Sequence, residues 1–185
     1  MPEQPARRRL ILLAGLLPLA SACTPRLDWR EVRLADGQAR VLMPAKPSSR
    51  TRELPLGTLS VDYTLTVANI DGTVFAVGHA RLPAEVLEPA RLEPLIQQLL
   101  SQQGRRFGIA GEQRAVPLRR RPDDTRPLRL AIEQRLEAVV DGKPLRQVGR
   151  HFVLGDYLLQ VTALGRPEDL GDEVLPFFLD SFRAD

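Results

Sequence analysis

Leu59-Ser60-Val61-Asp62-Tyr63-Thr64-Leu65-Thr66-Val67 alternates apolar and polar side chains without a break. Successive side chains of a strand point to opposite faces, so this period of two describes a strand with one buried face and one wet face. Asn69-Ile70-Asp71-Gly72 then turns the chain into Thr73 to Ala80, where both alternating sets are apolar. That is the pattern of a strand covered on both sides. The two strands are expected to form the middle of an antiparallel sheet.

On the N-terminal side, Trp29 to Leu34 reads as a strand, and Asp36-Gly37 marks a tight turn into a second strand, Ala39 to Met43. Pro44-Ala45-Lys46-Pro47-Ser48-Ser49 breaks the pattern and reads as a connecting loop rather than a proline-rich ligand. Downstream, Leu92, Leu95, Ile96, Leu99 and Leu100 make one apolar stripe on a helix, with Glu93, Gln97, Gln98, Gln102 and Gln103 outward. Proline is tolerated in a first turn, so Pro94 puts the firm start of that helix near Glu93, and Gly104 is its expected stop.

A short strand is expected at Gln113 to Leu118, followed by a polar loop from Arg119 to Pro127. Leu128 to Val140 fits a strand, while Leu128, Ile132, Leu136 and Val139 also fit a helical period. Asp141-Gly142 favours the strand, because it turns the chain into Leu145 to Leu154, and Gly155-Asp156 turns that into Tyr157 to Leu164. Three strands joined by turns make a meander. The chain closes on Glu168, Asp169, Asp172 and Glu173, then Leu175, Phe178, Leu179 and Phe182 at helical spacing. Acidic residues complement the start of a helix, and Pro176 belongs in its first turn. The expected fold class is α+β, an antiparallel sheet flanked by helices.

Arg7-Arg8-Arg9, a run of low polarity from Leu10 to Ala22, and small residues leading into Cys23 form the layout of an export signal. The apolar run is short of the roughly 20 residues that a membrane-spanning helix needs. Ala20-Ser21-Ala22-Cys23 resembles the lipobox of bacterial lipoprotein precursors, with Ala20 where that family usually has leucine and Leu19 one place earlier. The resemblance implies that residues 1–22 are removed and that Cys23 is acylated. Residues 23–28 are then a tether, and 29–185 a single domain. Ala20 and Ala22 also fit an ordinary secretory cleavage site, which would leave a free thiol, and acylation accounts better for a lone cysteine in an exported chain. Arg7-Arg8-Arg9-Leu10-Ile11 resembles a twin-arginine signal too, with Ala6 in place of the usual Ser or Thr.

Of the 185 residues, those after position 22 suffice for one domain with its own core. The formal net charge of +3 includes three arginines and one glutamate within residues 1–22, so the remainder is close to neutral. No nucleic-acid partner is expected from that balance. With one cysteine there is no disulfide, and stability must come from packing.

The succession of strands, helix, meander and terminal helix, with Val41-Leu42-Met43-Pro44, Val74-Phe75-Ala76-Val77-Gly78, Tyr157-Leu158-Leu159-Gln160-Val161 and the closing Phe177-Phe178-Leu179-Asp180-Ser181-Phe182-Arg183, resembles the PsbP-like family. The resemblance implies an α/β/α sandwich around an antiparallel sheet and accessory or assembly roles at membrane complexes. It brings no catalytic residues.

Chemistry is sparse in the sequence. His79 and His151 would share a metal only if their strands lay side by side, and a zinc site needs three or four ligands, so satisfied structural histidines are expected. Glu168, Asp169, Asp172 and Glu173 lack EF-hand spacing and read as a charged helix entry rather than a calcium site. There is no Gly-x-Ser-x-Gly around Ser181 or elsewhere, and no phosphate-binding glycine loop. Arg119, Arg120, Arg121 and Arg126 form the candidate surface for an anionic partner, partly cancelled by Asp123 and Asp124. The expectation is a non-catalytic envelope protein without cofactor or metal, held to the membrane by its N-terminal lipid and binding or supporting other envelope components. It is placed on the periplasmic side, at the outer rather than the inner membrane, because Thr24 follows the cysteine instead of aspartate. The alternatives are a carrier holding a lipid or other apolar ligand between sheet and helices and, third, a hydrolase in which His79 or His151 meets carboxylates in one cleft.

Overall fold

The alternating stretch forms β4, Leu59–Ile70, and the computed structural model describes residues 27–57, 59–105 and 107–185. Cys23 and the expected signal therefore lie outside the described residues. β4 pairs with β5 (Thr73–Arg81) as expected, through Ile70↔Thr73 to Tyr63↔Ala80. The seven-stranded antiparallel sheet runs β3-β4-β5-β9-β8-β7-β6, with β3 at Ser48–Leu56, β6 at Glu112–Ala115, β7 at Leu128–Val140, β8 at Lys143–Leu154 and β9 at Tyr157–Gly165. The meander is present, and Leu128–Val140 is strand throughout. The chain is α+β, dominated by antiparallel sheet.

The N-terminal hairpin does not join that sheet. β1 (Arg30–Leu34), β2 (Ala39–Met43) and β10 (Arg183–Ala184) form a separate three-stranded sheet. The turn at its β1–β2 end is looser than Asp36-Gly37 suggests, since Ala35, Asp36 and Gly37 all take left-handed φ in a short 3-10 turn. The terminal helix is also shorter than its apolar spacing predicts. A turn at Pro167–Leu170 (α2) precedes α3, Val174–Ser181, and Phe182 is already extended so that Arg183 and Ala184 can pair with β2. Small sheet, α2 and α3 together cover one face of the large sheet, around Phe75, Phe152, Leu159, Phe178 and Phe182. Phe75 meets Phe178 edge-on at 5.1 Å, and Phe152 stacks on Phe182 at 5.4 Å.

The other face is covered by α1, Pro89–Arg105, through Leu92, Ile96 and Leu100, each worth about 2 kcal/mol of burial. The helix begins four residues before Glu93, leaving Pro94 inside it. Pro94 cannot donate to the carbonyl of Ala90, and the helix tolerates that loss because Leu92 and Ile96 on either side are buried. Gly104 is inside the helix, where a Cβ would lie 2.5 Å from the Ile109 carbonyl oxygen.

Two further expectations are corrected. β4 does not keep one wet face: Val61 and Tyr63 are buried under α1, but farther along Thr66 and Ala68 are buried on the opposite face. The small sheet covers that side, and the Thr66 hydroxyl is satisfied by Ser49 Oγ at 2.7 Å. The segment from Ser48, expected as loop, is edge strand β3. Its Arg50, Thr51, Arg52 and Glu53 are exposed, so side-chain patterning carries no trace of the backbone ladder it makes with β4.

Candidate functional site

Register decides what the two histidines can do. His79 in β5 stands opposite Leu159 of β9, while His151 in β8 stands opposite Gln160 of the same strand. Leu159 and Gln160 are neighbours in β9 and point to opposite faces, so the histidines face opposite layers with a strand between them. They share no metal site, and among the described residues no group of three or more His, Cys, Asp or Glu is placed to hold an ion.

His151 belongs to a buried polar row beneath α1. It is 0% exposed, neither ring nitrogen has a partner, and burial pushes its pKa down to about 4, so the ring is neutral. Beside it Gln160 accepts a hydrogen bond from Tyr63 Oη at 2.6 Å, and Gln134 donates to the Leu100 carbonyl at 3.2 Å. Burial raises the Tyr63 phenol above its ordinary range, so it donates and does not ionise. Two glycines make room for the row. A Cβ on Gly78 would lie 1.8 Å from Tyr63 Oη, and one on Gly149 would lie 3.1 Å from His151 Nε2. This arrangement gives the core a directional contact.

His79 is partly exposed on the small-sheet side. Burial lowers its pKa, and the Asp36 carboxylate raises it in opposition. Asp36 already accepts a hydrogen bond from Tyr157 Oη at 2.9 Å, which joins the β1–β2 turn to β9, and His79 Nδ1 is buried without a partner.

A chain of charges crosses the same face farther along. Glu133, 4% exposed at its side chain, accepts from Arg114 and, at 2.9 Å, from Arg150 Nε. Arg150 donates onward to Asp180 of α3 at 2.7 Å, and Arg119 approaches Asp180 at 3.6 Å. Burial opposes the Glu133 charge, but the two guanidiniums hold its pKa below the usual carboxylate range. The chain borders a cleft of about 170 Å³ between Pro117, Phe152, Leu179 and Phe182. Glu133, Arg150 and Asp180 carried no motif in the sequence. The Arg150↔Glu133 pairing follows only from the β7–β8 register.

The candidate arginines do sit together on one loop, but each has a partner within the chain. Arg121 is bidentate to Asp123, and Arg126 is bidentate to Asp124 while donating to Gln38 Oε1 at 2.9 Å and to the Asp185 carbonyl at 2.7 Å. Arg120 donates to the Arg126 carbonyl at 3.0 Å. The guanidiniums hold both aspartates below their ordinary pKa. Arg126 is thus a staple between loop, β2 end and C-terminus, and Arg119, Arg120 and Arg121 are exposed. Of the acidic run, Glu168 and Asp169 pair with Arg166 at 3.3 and 2.7 Å.

The space between sheet and α1 is filled by Leu92, Ile96, Leu100, Val153 and Leu158. An open groove of about 680 Å³ lies instead at the Arg81–Asp156 end of the sheet, lined by Val61, Leu82, Pro83 and Leu87 with Arg81 and Asp156 at 2.6 Å on its rim. No described helix is long and apolar enough to cross a membrane.

No family model matches the chain, and none of the curated proteins does. Eight chains of solved structures match. One is the crystal structure of a protein of unknown function, PA94, from Pseudomonas aeruginosa, at 14% identity over 77% of this chain and 85% of that one, with a TM-score of 0.38.

Proposed function

We propose that this chain is a lipid-anchored envelope protein that acts without catalysis, as an accessory, binding or assembly factor for other envelope components. The observation that carries the proposal is the succession of Arg7-Arg8-Arg9, the apolar run Leu10 to Ala22, and Cys23. A single acyl chain binds a membrane only marginally, whereas the two or three of a lipoprotein anchor it permanently. Thr24 after the cysteine favours the outer membrane. We read the domain as a PsbP-like sandwich in which the layer opposite α1 is a small sheet joined to α2 and α3. The non-catalytic reading is supported by histidines that face opposite layers and by acids such as Glu133 and Asp124 that are tied to arginines.

Growth with labelled palmitate tests the anchor. Label is expected on the natural chain and lost in Cys23→Ser, which should also leave the membrane fraction; label retained by the variant overturns the anchor. Crosslinking in cells followed by mass spectrometry tests the accessory role, with one reproducible envelope partner expected and its absence counting against the role.

One observation favours a second reading, a carrier of an apolar ligand with a polar end. The open groove has Val61, Leu82 and Leu87 on its walls and an ion pair at its rim. Native mass spectrometry of the protein from its own membranes would find a bound lipid if this reading holds.

A further inference from the structure

Four large apolar side chains stand exposed among the described residues: Leu128, Val139, Val140 and Phe177. The last three lie at one end of the molecule. β9 pairs with β8 only as far as Arg146↔Gly165, while the β7–β8 ladder continues to Val140↔Lys143. The hairpin tip therefore projects past its neighbour, with Val139 73% exposed. Phe177, 49% exposed, meets Trp29 edge-on at 4.6 Å. Leu27, just before Trp29, shares a small surface hollow with Ile70 and Thr73 of the β4–β5 turn. That turn is at the Gly165 end of the sheet, since Val74 pairs with Leu164. The other end of β1 is tied to the opposite end of the sheet by Asp36 and Tyr157.

This apolar end is also where the chain enters the domain, six residues after Cys23. A chain spans at most about 3.5 Å per residue, so Trp29 is within roughly 20 Å of Cys23. We propose that this end is a bilayer-facing surface, on which Trp29, Phe177 and the Val139-Val140 tip enter the headgroup boundary of the membrane that holds the acylated Cys23. The inference rests on the anchor reading above and adds an orientation to it. Tryptophan prefers the headgroup layer, where its ring is in apolar surroundings and its N–H in polar ones. Tethering supplies a high local concentration, so a small apolar contact suffices. Lys46 and Lys143, the two lysines of the chain, are both exposed at this end, and their stems can lie along the boundary with the ammonium groups at headgroup depth. Asp71, Asp141, Asp172 and Glu173 share the end, so the contact is apolar rather than a matter of net charge. The opposite end, with the Arg81–Asp156 pair and its groove, then faces away from the bilayer.

The test uses the full precursor, matured in cells, purified and reconstituted into phosphatidylethanolamine–phosphatidylglycerol vesicles. Val139→Cys carries a bimane label in one sample and Glu85→Cys, exposed near the groove, in another. With acylated Cys23 confirmed by mass spectrometry, brominated lipids should quench bimane at 139 and leave it bright at 85. Equal brightness at both sites with an acylated N-terminus overturns the surface while sparing the anchor, and points to a protein partner for the patch. An unmodified Cys23 overturns the anchor and the surface together.

Discussion

Acidification should begin to destabilise this protein above the ordinary carboxylate range, and His151 is the reason. Its native pKa of about 4 lies below the ordinary 6.5, so between those values the unfolded chain binds a proton that the folded chain does not. Stability therefore rises with pH across that window and is lost as pH falls through it. At about 1.4 kcal/mol for each tenfold difference in proton affinity, the full loss is on the order of 3 kcal/mol by pH 4, and about 2 kcal/mol is already gone at pH 5. Glu133, Asp123 and Asp124 have lowered pKa values, so their contributions disappear only below the ordinary carboxylate range. His79 acts in the same direction as His151 and more weakly, because it is partly exposed and Asp36 opposes the shift. The assay is urea unfolding of residues 27–185 at intervals from pH 4.5 to 7.5, for the natural sequence and for His151→Leu. The variant removes two buried, unpartnered ring nitrogens, so at pH 7.5 it should be at least as stable as the parent, and on acidification it should keep most of what the parent loses. Superimposable pH profiles for the two proteins would refute the reasoning, since the proton-linked loss would then arise elsewhere.

Two further outcomes follow from close contacts. Gly78→Ala would place a methyl group 1.8 Å from Tyr63 Oη, and because Tyr63 is buried and tied to Gln160 the strain should cost about 2 kcal/mol in urea unfolding; an unchanged midpoint would show that the ring can move aside. Arg126→Ala removes the bonds to Asp124, Gln38 and the Asp185 carbonyl, so limited trypsin digestion should cut after Arg119 and Arg120 faster than in the parent. Arg121→Ala, which loses only an exposed pair with Asp123, should not speed cleavage at Arg119 or Arg120, and equal acceleration by both variants would refute the staple.

Much of this protein was legible from side-chain periodicity because most of its elements bury one face or both. β4, β5 and the β7–β8–β9 meander appear where alternation and the turns at Asp71-Gly72, Asp141-Gly142 and Gly155-Asp156 put them, and α1 buries the stripe its spacing predicts. The run from Arg7 to Cys23, on which the anchor proposal rests, lies outside the described residues. Tertiary structure decided what depends on contacts between distant residues. β3 pairs through its backbone while its side chains remain in water, so nothing in its composition marks it as a strand. Phe182 fits a helical stripe, yet the chain leaves the helix there because Arg183 and Ala184 complete a sheet with residues far away in sequence. The histidines could be placed on strands from sequence, but whether they met depended on a one-residue difference in register against β9, and that difference sends them to opposite faces. The arginine cluster was visible as charge, whereas its binding to Asp123, Asp124, Gln38 and the C-terminal carbonyl arises only once the loop folds against β2. Periodicity reports burial, which is local to each element; pairing, register and charge compensation belong to the assembled chain.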